Sequence, residues 1–215
     1  MTKVYKYKEI FDEVKEKYYN DIGSHDADHV DRVYKMCIHI GKIENADLEV
    51  LELAAILHDI ARKEEKLSNG EICHALEGAK KAKVLMEKHD IADDVIGKVV
   101  SCIRTHRSRS ENEFETLEAK ILFDADKLDS IGAIGLARTF VFAGEIGSRV
   151  HNKDIDLENT YEYSKEDTAY REFLIKLSKI KDKMLTSEGK KIAEERHNYM
   201  VEFFKRINEE VDGLI

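Results

Sequence analysis

No proline occurs in this 215-residue chain, and apolar residues recur at intervals of three and four along nearly all of it. Proline stops or kinks a helix because it lacks an amide proton and its ring collides with the preceding turn. Its absence lets long helices run, and the apolar period gives each a buried face. Strict alternation, the mark of a half-buried strand, is rare. The chain is therefore expected to be all-α, with glycine, asparagine and serine supplying the breaks. An opening helix over residues 5–20 ends at Gly23-Ser24. A second, from about Asp26, carries Val30, Val33, Cys37 and Ile40 on one face and stops around Gly41 to Asn45. A third runs from about Asp47 to Arg62, and 63–68 reads as a charged loop. Ser68-Asn69-Gly70-Glu71 has the Ser-x-x-Glu form of a capping box and should open a helix reaching about His89. Helices follow over about 92–106, 114–128 and 131–141. A polar stretch over 144–165 reads as a long loop or lid, and two more helices cover about 167–184 and 188–210. No repeat or linker divides the chain. A single helical domain over 1–215 is expected, with a core over about 20–145 and C-terminal helices over about 165–212 packed on it.

The charge balance narrows the partners. A net charge of -9 argues against a broad basic surface for nucleic acid, yet leaves room for a local basic pocket around a phosphate. No stretch approaches the ~20 apolar residues that span a bilayer, so no membrane partner is expected. The charged N-terminus lacks an apolar signal core. Cys37, Cys73 and Cys102 are widely spaced and suit a reducing compartment. The expected location is the cytoplasm. Oligomeric state is left open by the sequence, a homodimer included.

Four polar residues fall where the helical pattern points inward. His29 shares a face with Val33 and Ile40. His58 follows Leu51, Ala54 and Ala55 at helical spacing, with Asp59 as its neighbour. Asp126 comes four residues after Leu122. Taken singly, each histidine is more often a hydrogen-bonded core residue and each aspartate a surface or capping residue. Buried together they are costly unless paired or metal-bound, and one divalent ion can relieve that cost for all four. Two imidazoles and two carboxylates suit Mn, Fe, Ni, Co or Zn, and with less nitrogen Mg. Four protein ligands on an octahedral ion leave positions for a water and a substrate oxygen.

The flanking words make the set more specific. SHDADHVDRV, AAILHDIAR and FDADKLDSIGAIGLAR resemble the HD-domain metal-dependent phosphohydrolase superfamily, marked by a histidine, a His-Asp doublet and a distant aspartate. More narrowly, the chain is similar to the small bacterial HD proteins of the YedJ/YpgQ type. The likeness extends to ICHALEGAKKA, IRTH and MLTSEGKKIAEERHNYMVEFF, and so covers nearly the whole chain. The resemblance implies an all-α HD-type bundle with one divalent metal between helices, held by His29, His58, Asp59 and Asp126. It implies hydrolysis of a phosphate ester or phosphoanhydride by water, and in the nearest group a nucleotide (dNTP or NTP) pyrophosphohydrolase releasing a nucleoside monophosphate and pyrophosphate. A 5′-nucleotidase, a phosphodiesterase on another nucleotide and a non-catalytic nucleotide sensor are the alternatives.

Other residues take expected roles around these words. Asp59 and Asp129 are the catalytic candidates, Asp129 as general base or water holder; its structural alternative is a helix N-cap. Asp124 falls on another side of its helix. His25, one turn before His29, and Arg62, one turn past His58, are candidate phosphate contacts, as is Arg107 in the loop after His106. His74 and His106 stand between the doublet and the last aspartate, where some HD proteins bind a second metal. One metal is the expectation here, with His74 and His106 lining substrate phosphates. Gly132 and Gly135 lack the spacing of a phosphate loop and suit close packing or a helix start.

Overall fold

The computed structural model describes residues 6–19, 27–107 and 114–215. Among these the chain forms ten α-helices and two short 3-10 turns, with no strand, as the apolar period predicts. The helices group into two compact units, one ending at Asp126 and the other beginning at Lys127.

The first unit contains α1 (Lys8–Tyr18), α2 (Ala27–Glu44), α3 (Leu48–Leu57), α4 (Arg62–Leu67), α5 (His74–Lys88), α6 (Asp93–Thr105) and most of α7 (Leu117–Leu128). Helix α3 is its centre. It packs against α2, α6 and α1, while α5 packs on α6 and α4 on α5. Every residue of α3 from Val50 to Leu57 is buried, as befits a helix that is apolar nearly all round. Its start is fixed by Asp47, whose carboxylate accepts from the Glu49 and Val50 amides. Full burial of Leu51, Leu53, Ile56 and Leu57 stabilises the unit by about 1.5–3 kcal/mol per side chain.

Three boundaries in this unit depart from the sequence reading. Helix α2 runs through Gly41 to Glu44. The glycine marks close approach instead: a Cβ there would lie 2.4 Å from Leu51 Cδ1 and 2.9 Å from Leu48 Cδ2. Helix α3 stops at Leu57, short of Arg62, and residues 62–67 form α4 where a loop was expected. The Ser68–Glu71 word does not open a helix. Asn69 and Gly70 both have positive φ, 52° and 86°, two left-handed residues in a row that interrupt the right-handed run a helix over this word would need. The Ser68 hydroxyl accepts from Ile72 N in a turn, and α5 begins only at His74.

The second unit contains α8 (Gly132–Glu145), α9 (Ala169–Ile175), 3-10 turns at Leu177–Lys179 and Lys181–Lys183, and α10 (Ser187–Val211). Helix α8 packs against α9 and α10. The helix expected over 167–184 is thus broken after Ile175. Side chains three apart eclipse in a 3-10 turn, which lets Leu177 and Ile180 both be buried. Gly132, at φ 77°, starts α8, and a Cβ on Gly135 would sit 2.3 Å from Ser130 O, so this pair marks a helix start. The long stretch after α8 is irregular, as expected, and braced from within. Buried Arg171 binds Asp167 Oδ1 (2.9 Å), Thr160 Oγ1 (3.0 Å) and Thr160 O (3.0 Å). Asp167 in turn accepts from Tyr163 N at 2.7 Å. Among the described residues no helix is long and apolar enough to cross a membrane.

Candidate metal centre

The doublet sits at the end of α3. Neighbouring residues in a helix point about 100° apart, so His58 and Asp59 reach the centre from different directions. His58 caps α3 with helical φ and ψ of -61° and -34°, and Asp59 lies in the turn that follows. Both are buried, as are His29, His74, His106 and Asp126. His29 comes from the first turn of α2, His74 from the start of α5, His106 from the cap of α6 and Asp126 from the last turn of α7.

Two caps use the same local device. His58 Nδ1 lies 2.8 Å from Ala55 O, and His106 Nδ1 lies 2.6 Å from Ile103 O. Each histidine thus donates its Nδ1 proton to a carbonyl in the last turn of its own helix, where carbonyls lack helical partners. That fixes the tautomer and leaves the Nε2 lone pair facing inward. His74 reaches the same state differently: its Nδ1 sits 2.7 Å from Glu65 Oε2. Burial pushes the His58 imidazolium pKa down to about 4 and that of His74 down to about 3. Both rings are therefore neutral near pH 7, the form that can ligate a metal.

The donor atoms form two groups that share Asp59. In the first, His29 Nε2 is 3.3 Å from His58 Nε2, 3.7 Å from Asp59 Oδ2 and 3.5 Å from Asp126 Oδ1, and His58 Nε2 is 3.5 Å from Asp59 Oδ2. In the second, His74 Nε2 is 3.2 Å from His106 Nε2, and each lies 3.5 Å from Asp59 Oδ1. Donors about 2.1 Å from one ion are about 3.0 Å apart at right angles and about 3.4 Å apart at tetrahedral angles. The spacings fit a divalent cation in either group. The chemistry fits too: converging lone pairs and buried carboxylates repel one another unless a cation lies among them. Each of the sets His29/His58/Asp126 and Asp59/His74/His106 could hold an ion.

A positive rim adjoins the second group. Arg62 Nε lies 2.9 Å from Asp59 Oδ1, and Arg62 Nη1 lies 3.3 Å from Glu65 Oε2. Arg107 Nη1 is 2.6 Å from Glu65 Oε1 and 3.5 Å from Cys73 Sγ. Glu65 thus gathers two guanidiniums and an imidazole, which hold its carboxyl below the ordinary glutamate value despite the upward pull of partial burial. Sequence reasoning missed Glu65 because it stands in the RKEEK run, expected to be a solvated loop. Its one signal is the spacing of three from Arg62, which matters only once α4 is known. Tyr19 was missed as well. Its buried hydroxyl donates to Ile56 O at 3.0 Å, one turn from the doublet.

The remaining expectations fall outside these groups. Asp129 belongs to the second unit, where Arg138 Nη1 binds its Oδ2 at 2.7 Å and its carbonyl at 3.0 Å. It is not an N-cap, since Ile131 holds that position for α8. Asp124 is fully buried. His25 lies outside the described residues.

The HD domain family model matches residues 26–131. The YpgQ protein of Bacillus subtilis (strain 168) is 33% identical over 195 residues, covering 91% of this chain and 88% of that protein. An HD-superfamily hydrolase from Bacillus thuringiensis superposes with a TM-score of 0.75 at 30% identity, covering 95% of this chain and 96% of that one. The structure of Bacillus subtilis YpgQ in complex with ADP gives a TM-score of 0.71 at 28% identity, covering 95% and 100%.

Proposed function

We propose, from the premise that this chain belongs to the HD domain family, that it is a metal-dependent phosphohydrolase acting on nucleotides. The observation that carries the reading is the convergence of His29, His58, Asp59 and Asp126 beside a rim holding Arg62 and Arg107. A divalent ion there supplies Lewis acidity toward a phosphoryl oxygen and acidifies a water. The tautomer locks on His58, His74 and His106 present lone pairs without rearrangement. Asp59 serves both groups, one oxygen to each, and Asp126 adds the second carboxylate. Arg62 and Arg107 supply fixed charge for the phosphates away from the reacting one, as a polyphosphate substrate requires. His74 and His106 line the same edge.

Nucleotide substrates are favoured because a structural neighbour was solved with ADP. Among them we infer the phosphoanhydride of a nucleoside triphosphate, cleaved to monophosphate and pyrophosphate, since a paired arginine rim suits a leaving group of high charge.

The test is a screen of nucleoside triphosphates, monophosphates and cyclic nucleotides with Mn, Mg, Co, Ni and Zn, beside Asp126→Ala. Pyrophosphate as the product supports the reading. Inorganic phosphate or an opened cyclic ester points to a nucleotidase or a phosphodiesterase. Equal background in wild type and variant throughout refutes an enzyme. Asp129→Asn should lower turnover while leaving metal content intact if Asp129 is the base; unchanged turnover removes it from that role.

A further inference from the structure

We propose that the Arg62 guanidinium is a built-in competitor for a second divalent ion, so that the centre holds one ion tightly and a second only weakly. The inference rests on the metal-centre reading above and concerns a residue that reading uses for phosphate contact.

Taken alone, the Asp59/His74/His106 group is a complete three-donor site. Its imidazole protons are both committed, to Glu65 and to Ile103 O, so two Nε2 lone pairs face each other at 3.2 Å. The group has one carboxylate oxygen, Asp59 Oδ1, and that oxygen already carries Arg62 Nε at 2.9 Å. The first group differs in charge: it sets two carboxylates, Asp59 and Asp126, against its two imidazoles.

Arg62 is poorly placed to leave. It is three residues from Asp59, one helical turn, and its Nη1 is also drawn to Glu65 at 3.3 Å. Arginine keeps its proton at any ordinary pH. A second dication must therefore share Oδ1 with a permanent positive charge at close range, or break both Arg62 contacts first. Either route weakens the second site and leaves the first, built on Asp59 Oδ2, largely untouched.

Titration of the metal-free protein with Mn2+, followed by calorimetry and by electron paramagnetic resonance, reads this directly. Wild type should take up one Mn2+ tightly and a second at least about tenfold more weakly, the scale of like-charge repulsion at this range. Arg62→Met removes the charge at similar length and should strengthen the second step by about tenfold or more, with a spin-coupled signal from the ion pair. Arg62→Lys keeps the charge and should leave the second step weak, which a packing role would not predict. Arg62→Met combined with His106→Ala should return to one ion. If Arg62→Met misfolds by circular dichroism, Arg62→Gln takes its place. Two ions bound by wild type within about threefold of each other, or an uncharged variant that titrates like wild type, overturns the proposal. A wild-type protein that takes up no Mn2+ overturns the metal-centre reading itself, a different outcome from either.

Discussion

Acid should unfold the metal-free protein through His58, and the size of the effect follows from its burial. The ring is completely buried, and its pKa falls from 6.5 to about 4 because burial disfavours the charged form. The unfolded chain therefore takes up its proton at higher pH than the folded one. Above pH 6.5 both states are neutral and nothing is lost. Below it the unfolded state gains protons first, and stability falls until the pH reaches about 4, where the folded ring is protonated too. Each pKa unit corresponds to about 1.4 kcal/mol, so the ceiling is about 3 kcal/mol, of which about 2 kcal/mol is lost by about pH 5. His74 is lowered as well and acts in the same direction. The assay is urea unfolding with a chelator present, at about pH 7.5 and about pH 5, on wild type and His58→Gln. The variant should lose about 2 kcal/mol less than wild type across that interval, whatever its absolute stability. Parallel losses in the two proteins would refute the reasoning, because they would mean that the buried imidazole does not set the acid limit.

Three further outcomes are expected. Glu65→Gln removes the charge that holds His74 Nδ1, Arg62 and Arg107, and should lower turnover or metal affinity by about 10–100-fold, read by steady-state kinetics and metal titration. Tyr19→Phe deletes the buried hydroxyl on Ile56 O and should cost about 1 kcal/mol in urea unfolding, with a matching loss of metal affinity if it steadies the doublet. Arg171→Ala breaks a buried ion pair and frees Thr160; it should cost about 3–5 kcal/mol in the second unit and open residues 146–168 to limited proteolysis.

The sequence shows the inward stripes well because they are a property of periodic burial: Val30, Val33, Cys37 and Ile40 are all buried as read. It does not show where helices end when tertiary contact decides. Gly41 looks like a stop and is a place where two helices touch. The Ser68–Glu71 word looks like a start, but the backbone at Asn69 and Gly70 turns the wrong way. The four expected ligands are legible as a motif, and the structure brings them within one ion's reach. The sharing of Asp59 between two donor groups is not legible. It depends on which oxygen of one carboxylate faces which ring, and that is settled by three helices distant in sequence. Glu65 is hidden for a similar reason, since a charged run reads as solvated until a buried histidine is found against it.

The placement of Asp126 carries a consequence for the order of folding. It is the last residue of the first unit and lies 97 positions from His29. An ion that needs both must wait until almost the whole unit has been assembled, because closing so long a segment is an entropic cost that earlier contacts have to offset. Chelation would then come after the rate-limiting step. It would slow unfolding and leave the folding rate nearly unchanged, acting as a latch on a finished structure, not as a nucleus for it.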